Sequence, residues 1–418
     1  MRFETKCIQA GYSPKSGEPR VVPIAQSTTF KYDDAKTMGD LFNFDAAGHF
    51  YTRLSNPTLE AVENKIAQLE GGVGAMLTSS GQAASMTAVV NLCGTGDHVV
   101  CTGAIYGGTF NLFNVSLRKL GIDVTFVPPD ISESELSAAI KPNTKLIFSE
   151  MLTNASLAVL DIELFARVAH ENGLPLVVDN TFPTPALCRP FEWGADIIVH
   201  STSKYMDGHA VALGGVIVDG GVFDFANSAR HPAFSQPDES YHGLIYTEKF
   251  GKAAFIAKAR AQCMRDMGFQ QSPQNAFLLN IGLETLALRM QRHTENATAI
   301  AKHLENHPKI SWVNYPGLET NKYHTLAKKY LDGASGVLSF GIKGGFESAC
   351  AFMEKLKLIA PVVHVADCRS GVLHPASTTH RQLSEDQLKA CGVPADMIRL
   401  SVGIENAADI IEDIEQAL

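Results

Sequence analysis

The 418-residue sequence predicts an α/β fold, a mostly parallel sheet covered by helices on both faces, followed by a smaller C-terminal α/β domain. Three observations predict it. Through the first half of the chain, apolar stretches rich in Val and Ile alternate with segments of helical periodicity, as expected for strands buried on both faces. Each stretch ends in polar residues, where ligands of such sheets bind. From about residue 270 onward, helical segments mix with short strands such as "GVLSFGI" and "MIRLSVG".

The elements follow in order. "NPTLEAVENKIAQLEGG" predicts a helix with Asn56 as N-cap, Pro57 in the first turn and Leu59, Val62, Ile66 and Leu69 on one face. Gly71 and Gly72 stop it. "AMLTSSGQAASMTAVVNLC" is a strand, a small-residue turn and a helix. "DHVVCTG" is a strand, "GGTFNLFNVSLRKLG" a helix and "IDVTFVPP" a strand. Ser132 and Glu135 suit a capping box. "TKLIFSE" is a strand, "DIELFARVAHENG" a helix, and "LPLVVDN", "DIIVHS" and "LGGVIVDGG" are strands. "QSPQNAFLLNIGLETLALRMQRH" predicts one long amphipathic helix carrying Leu278, Ile281 and Leu288, joining the two domains.

Composition narrows the class. Hydrophobic residues at 45% and charged residues at 19% are ordinary for a soluble globular protein. A net charge of −9 without a basic block argues against nucleic acid as a partner. The eight cysteines form no CxxC pair and suit reduced thiols better than disulfides, and no spacing suggests a metal site. "MRFETKCIQAGY" has no apolar signal region, and no apolar run reaches the ~18 residues of a membrane span. The expectation is a soluble cytoplasmic protein with no membrane partner.

The polar strand ends are Ser79 to Gln82, Tyr106 to Thr109, Glu150 to Asn154, Asp179-Asn180 and Ser201 to Lys204. In "TSSGQAAS" the backbone N–H groups of Gly81 and Gln82 open a helix and can face a phosphate, although the stretch matches neither a Walker loop nor GxGxxG. Asp179 ends a buried strand and needs a cationic or hydrogen-bonding partner. Lys204 follows Ser201, Thr202 and Ser203, and a dry pocket there would favour the neutral amine that forms a Schiff base. A phosphate cradle, a buried aspartate and an amine-bearing lysine are the three handles of pyridoxal phosphate. His200 and His209 are expected to be structural.

The motifs "VVPIAQSTTF", "YTRLSNPTLEAVENKIAQLEGG", "SSGQAA", "IYGGT", "VVDNTF", "HSTSKY", "HPASTTH" and "IRLSVGIEN" occur in that order over nearly the whole chain. With them the sequence resembles the Cys/Met-metabolism enzymes dependent on pyridoxal phosphate. The resemblance implies the PLP-dependent transferase fold (fold type I, aspartate aminotransferase-like), with an arm over residues 1–58, a cofactor-binding large domain over 59–270 and a small domain over 271–418. It implies that Lys204 is the Schiff-base lysine, Asp179 the partner of the pyridine nitrogen and Tyr106 the stacking ring. Gly81, Gln82, Ser201 and Ser203 would hold the phosphate, and Asn154 the phenolic oxygen. Tyr51 and Arg53 would reach the cofactor phosphate of a neighbouring subunit, with Tyr51 also on the substrate side, in a homotetramer of cofactor-sharing dimers. Arg399 resembles the clamp for the substrate carboxylate. Two positions depart from the pattern. Ala155 replaces the proline usual after Asn154. His364 stands where related sulfhydrylases carry an asparagine, and is either a substitute substrate contact or a packed loop histidine.

The reaction class also follows by resemblance. Methionine γ-lyases share a cysteine two residues beyond the stacking tyrosine, where Gly108 stands here. "HPASTTHRQLSEDQL" and the insert "NSARHPAFSQPDESYHGLIY", placed near the site mouth, look like enzymes that join O-acetylhomoserine to sulfide or a thiol. The alternatives are γ-elimination from methionine or cystathionine, and cystathionine γ-synthesis.

Overall fold

The computed structural model describes residues 1–154, 156–378, 381 and 393–418. Ala155, Cys391 and most of "HPASTTHRQLSEDQL" beyond Thr378 lie outside the described residues. The larger sheet contains β1 (Gly74–Thr78), β2 (His98–Thr102), β3 (Asp123–Val127), β4 (Thr144–Glu150), β5 (Leu176–Asp179), β6 (Ile197–His200) and β7 (Gly215–Asp219). Their spatial order is β1-β7-β6-β5-β4-β2-β3. All neighbours pair in parallel except that β7 runs antiparallel to both β1 and β6. The crossovers bring the carboxyl ends of β1, β2, β4, β5 and β6 to one edge, and the site is built there.

Both faces of this sheet are covered. Leu77, Val100, Ile147, Val178 and Ile198 pack with Val62 and Ile66 of the helix Pro57–Glu70 and Phe165 of the helix Ile162–Glu171. The alternate residues Met76, Val99, Phe148, Val177 and Ile197 pack with Ala84 and Ala88 of the helix Gly81–Leu92. The period-2 alternation of strands thus feeds two apolar layers, and every residue of β2 and β7 is buried. The local stops and starts match the sequence. Asn56 Oδ1 accepts from the Thr58 N–H at 2.9 Å, and Ser132 and Glu135 form the capping box. The segment after Tyr106 is helical but contains a π-helical turn over Leu112–Leu117.

The second sheet contains β8 (Ile310–Asn314), β9 (Val337–Ile342), β10 (Ala360–Pro361), β11 (Gly371–Leu373) and β12 (Met397–Ser401), in the order β10-β11-β12-β9-β8. Its core combines Leu338, Phe340, Ile398 and Leu400 with Ile300, Leu304, Ile410 and Ile414.

The stretch 271–293 differs from expectation. It forms two helices, Pro273–Glu284 and Leu286–Glu305, with Thr285 between them at φ −106°, ψ 8°. Ile281 and Leu288, expected on the packed face, are 46% and 70% exposed, and Leu278 is half-buried. Ala276, Leu279, Leu283, Leu286 and Met290 make the contact with the core instead. Apolar residues surround this stretch on nearly every side, so periodicity does not select a face. The break is occupied by Arg289, whose guanidinium donates to the carbonyls of Gly282 (2.6 Å), Tyr205 (2.6 Å) and Met206 (3.2 Å), while its Nε donates to Thr285 Oγ1 (3.1 Å). Arg289 therefore holds the turn that follows Lys204 from behind. The helix Leu286–Glu305 starts in the core of the larger sheet and ends, through Ala297, Ile300 and Leu304, in that of the smaller.

Near the amino terminus, the helix Phe3–Gln9 lies on its own chain, with Cys7 buried in the larger core and Lys6 Nζ donating to Gln68 O. Leu283→Ala is expected to lower stability by about 2–5 kcal/mol and Leu288→Ala by no more than about 0.5 kcal/mol, read as urea midpoints. Equal losses would place the packed face where the sequence pattern had it.

Candidate active site

The strand ends surround a cavity of about 800 Å³. At the end of β1, Ser80 caps the helix Gly81–Leu92 by accepting from the Ala83 N–H at 3.1 Å. A Cβ on Gly81 would lie 2.6 Å from Ser201 Cβ, so only glycine lets the helix start close against the turn after β6. The free N–H groups of that first turn and the helix dipole make an anion seat. Ser201 stands beside it. Ser203 also lines the cavity, but its hydroxyl donates to Gly214 O (3.2 Å) and accepts from Gly214 N–H (2.9 Å).

Lys204 projects from the same turn. Burial, reinforced by the Arg399 cation, lowers its pKa from 10.5 to about 8. Its neutral fraction at pH 7 is roughly a few hundredfold that of a free lysine. Its Nζ lies 3.2 Å from His364 Nδ1.

Asp179, which lines the same cavity, ends β5 and accepts from the N–H (2.9 Å) and hydroxyl (2.5 Å) of Thr181. Burial raises its pKa, while the Thr181 bonds and His200 act in the other direction. In the parallel register Glu150 is the direct neighbour of Asp179. Glu150 is buried and accepts from the backbone N–H groups of Tyr106 (2.6 Å) and Asn154 (3.1 Å). Burial and the adjacent Asp179 push its carboxyl well above the usual range. Behind β6, His200 Nε2 pairs with Glu70 Oε1 at 2.6 Å, both side chains fully buried. His200 is thus outside the cavity, as a structural histidine would be.

Tyr106, 51% exposed, stands at the start of the helix Gly107–Asn111. A Cβ on Gly108 would come within 2.5 Å of both the Tyr106 ring and the Gln82 amide, so a side chain there displaces the ring. From the smaller sheet, Arg399 on β12 enters the cavity. Its Nη1 donates to Asn154 Oδ1 (3.3 Å) and its Nη2 to Val363 O (3.0 Å), while its buried Nε has no partner among the described residues. Burial lowers its pKa to about 10, which leaves it charged at neutral pH.

The cavity therefore brings together Gly81, Gln82, Tyr106, Asn154, Asp179, Ser201, Ser203, Lys204, His364 and Arg399. Tyr51 and Arg53 are not in it. They are exposed, with the Arg53 guanidinium 5.3 Å from the centre of the Tyr51 ring. Among the described residues, none of the insert 227–246 lines the cavity either. Arg230 donates to the carbonyls of Pro142 and Thr144, and His231 Nε2 bonds Lys145 O. This pins the insert at the amino end of β4, away from the expected site mouth. Glu150 stands among the polar strand ends read from the sequence but without an assigned role, and Thr181 and Arg289 were not anticipated as site-shaping residues. One signal existed for Glu150, since "TKLIFSE" and "LPLVVD" both end in a carboxylate.

An anion seat, a carboxylate at the end of β5 and a desolvated lysine beyond β6 share one cavity, and among the described residues the buried Gln82 Oε1 and Arg399 Nε have no hydrogen-bond partner. Fold and site together define a pyridoxal-phosphate enzyme of the α/β transferase type. Residues 4–418 match the family of Cys/Met metabolism PLP-dependent enzymes, and the chain belongs to it. It is 46% identical to a homocysteine synthase from Schizosaccharomyces pombe over 420 residues, covering 100% of this chain and 98% of that protein. It is 44% identical to an O-acetyl-L-homoserine sulfhydrylase from Leptospira meyeri, with 99% and 96% covered. Among solved structures it superposes, at a TM-score of 0.96 and 39% identity over 100% and 99% of the two chains, on a candidate O-acetylhomoserine (thiol)-lyase from Campylobacter jejuni that carries an N-pyridoxyl-lysine monophosphate.

Because only the neutral amine is a nucleophile, covalent capture of pyridoxal phosphate by the apoprotein is expected to accelerate as pH rises through about 8 and to level off above 9. Stopped-flow absorbance reads this directly, and a midpoint near 10.5 would mean that the amine is solvated.

Proposed function

We propose that this protein replaces the acetyl group of O-acetyl-L-homoserine by sulfide, forming L-homocysteine and acetate, with a thiol such as methanethiol giving methionine. The observation that carries this reading is the shared cavity of Lys204 and Arg399, an amine for carbon-bound protons and a guanidinium fork for an amino-acid carboxylate. Full-length similarity to sulfhydrylases supports the acetylated substrate, and the lack of space for a side chain at Gly108 speaks against the cysteine of methionine γ-lyases.

Bound pyridoxal phosphate supplies an electron sink for charge developing at the substrate carbons. Asp179 would hold the proton of its ring nitrogen, Tyr106 would stack on the ring, and Asn154 would meet its phenolic oxygen. The first turn at Gly81 and Gln82, with Ser201 and Ser203, seats the phosphate. Arg399 orients the substrate through its carboxylate, with His364 beside it. Lys204 removes and returns the protons at Cα and Cβ. Tyr51 and Arg53, exposed here, reach the phosphate in a neighbouring subunit, and Tyr51 touches substrate there. The active form is then a homotetramer of cofactor-sharing dimers, with residues 1–58 as arm, 59–270 as large domain and 271–418 as small domain. Among the described residues no helix is long and apolar enough to cross a membrane. With the acidic balance, this supports a cytoplasmic enzyme of small molecules with no nucleic-acid partner.

Purified holoenzyme with O-acetyl-L-homoserine is expected to form homocysteine only when sulfide is added, and Lys204→Ala to abolish it. Predominant 2-oxobutyrate with or without sulfide would identify a lyase, and cystathionine formed preferentially from added cysteine a cystathionine γ-synthase. Arg53→Ala is expected to weaken retention of pyridoxal phosphate by about 10- to 100-fold, the worth of one charge-assisted hydrogen bond. Unchanged retention in equilibrium dialysis would remove Arg53 from the partner's site.

A further inference from the structure

The insert 227–246 lines no part of the cavity among the described residues, yet its fold is closely specified. Asp238 and Leu244 form an antiparallel bridge, with His242 (φ 53°) and Gly243 (φ 85°) in left-handed conformations between them. Asp238 Oδ2 accepts from the Tyr246 hydroxyl at 2.7 Å. The loop so closed presents Tyr241, whose hydroxyl donates to Ala261 O at 2.8 Å. The Arg265 guanidinium lies 5.0 Å from the centre of the Tyr241 ring.

Another neighbour of that ring is Phe44, with ring centres 5.3 Å apart. Phe44 also meets Phe250, at the end of the helix Tyr246–Phe250, edge-on at 5.4 Å. Beside it Lys249 Nζ pairs with Asp45 Oδ1 at 2.5 Å. Phe44 has φ 58°, a left-handed conformation that a bulky side chain rarely adopts. Such a conformation persists where surrounding contacts fix it, and here Tyr241, Lys249 and Phe250 supply them.

The chain then runs from Phe44 to the exposed Tyr51 and Arg53. Phe42 and Phe50 pack with ring centres 4.3 Å apart, and Tyr51 pairs with Thr29 in an isolated bridge. Just past Arg53, Leu54 O accepts from Arg260 Nη1 at 2.7 Å. The stretch 241–260 thus anchors the chain once before Tyr51 and once after Arg53. A side chain that serves a site on another subunit has to be aimed by its own chain, because disorder there would be lost again on binding.

We propose that the insert braces this segment, and that Tyr241, acting through Phe44, is a positioning residue for Tyr51 and Arg53 in the neighbouring subunit's cofactor site. The inference rests on the role given above to Tyr51 and Arg53. Its distinctive consequence is sidedness. A change in the insert of one chain is felt at the lysine of the other.

Equilibrium dialysis of pyridoxal phosphate tests it. Tyr241→Ala is expected to weaken retention about 3- to 10-fold, the cost of ordering one loosened side chain. Tyr241→Phe keeps the ring on Phe44, loses the bond to Ala261, and is expected to retain the cofactor as the wild type does. Wild-type retention in Tyr241→Ala, with Arg53→Ala weakened, would overturn the brace alone. Wild-type retention in both would remove the reading beneath it as well. Co-expression of Tyr241→Ala chains with Lys204→Ala chains then separates bracing from local damage. Among these, the Tyr241→Ala chains alone carry the lysine, so the absorbance of lysine-bound pyridoxal phosphate reports their sites. In mixed dimers those sites meet Tyr51 and Arg53 from a chain with an intact insert, and a population with wild-type retention is expected to appear. Uniformly weak retention would confine the defect to the altered chain and overturn the proposal.

Discussion

The arrangement depends on keeping the amine of Lys204 out of water with a second cation nearby. A lysine in solvent is an inert ammonium at neutral pH, and burial together with the Arg399 charge brings it to about 8. The cost of that desolvation is borne by the surrounding fold. Arg289 fixes the carbonyls of Tyr205 and Met206, Ser203 is tied to Gly214, and the Lys204 carbonyl accepts from Gly208 N–H at 2.7 Å. None of these groups does chemistry. They prevent the turn from letting the side chain swing out.

The carboxylates on the other wall obey the complementary constraint. Asp179 and Glu150 stand side by side at the ends of adjacent parallel strands, and two charges there would repel at short range. The two sites are distinguished by their surroundings. Asp179 receives Thr181 and faces the His200–Glu70 pair, whereas Glu150 is spent on the backbone of Tyr106 and Asn154. Glu150 thus orients two cavity residues from behind, while the Thr181 bonds oppose the upward shift that burial gives Asp179.

Much of this was legible in the sequence, for reasons that can be named. Caps such as Asn56 and the Ser132–Glu135 box are local, so a few residues decide them. The polar strand ends were legible because a parallel sheet delivers them all to one edge. Whatever depended on distant partners was not. The packed face of 273–290 is chosen by the sheet it meets, since its own apolar residues run nearly all round. Arg289 meets carbonyls more than eighty residues earlier, and His364 lies against a lysine 160 residues away. Tyr51 and Arg53 stay outside the cavity of their own chain, and the insert went to the amino end of β4 because Arg230 and His231 found free backbone carbonyls there.

The split origin of the cavity also sets the order in which it can come into being. Asp179 and Lys204 lie in a strand and a turn completed before residue 219, but the carbonyls behind Lys204 are held by Arg289, and Arg399, which adds to the effect of burial on its amine, stands nineteen positions from the last residue. The cavity, and with it the surroundings that lower the pKa of Lys204, is thus assembled from residues of both sheets.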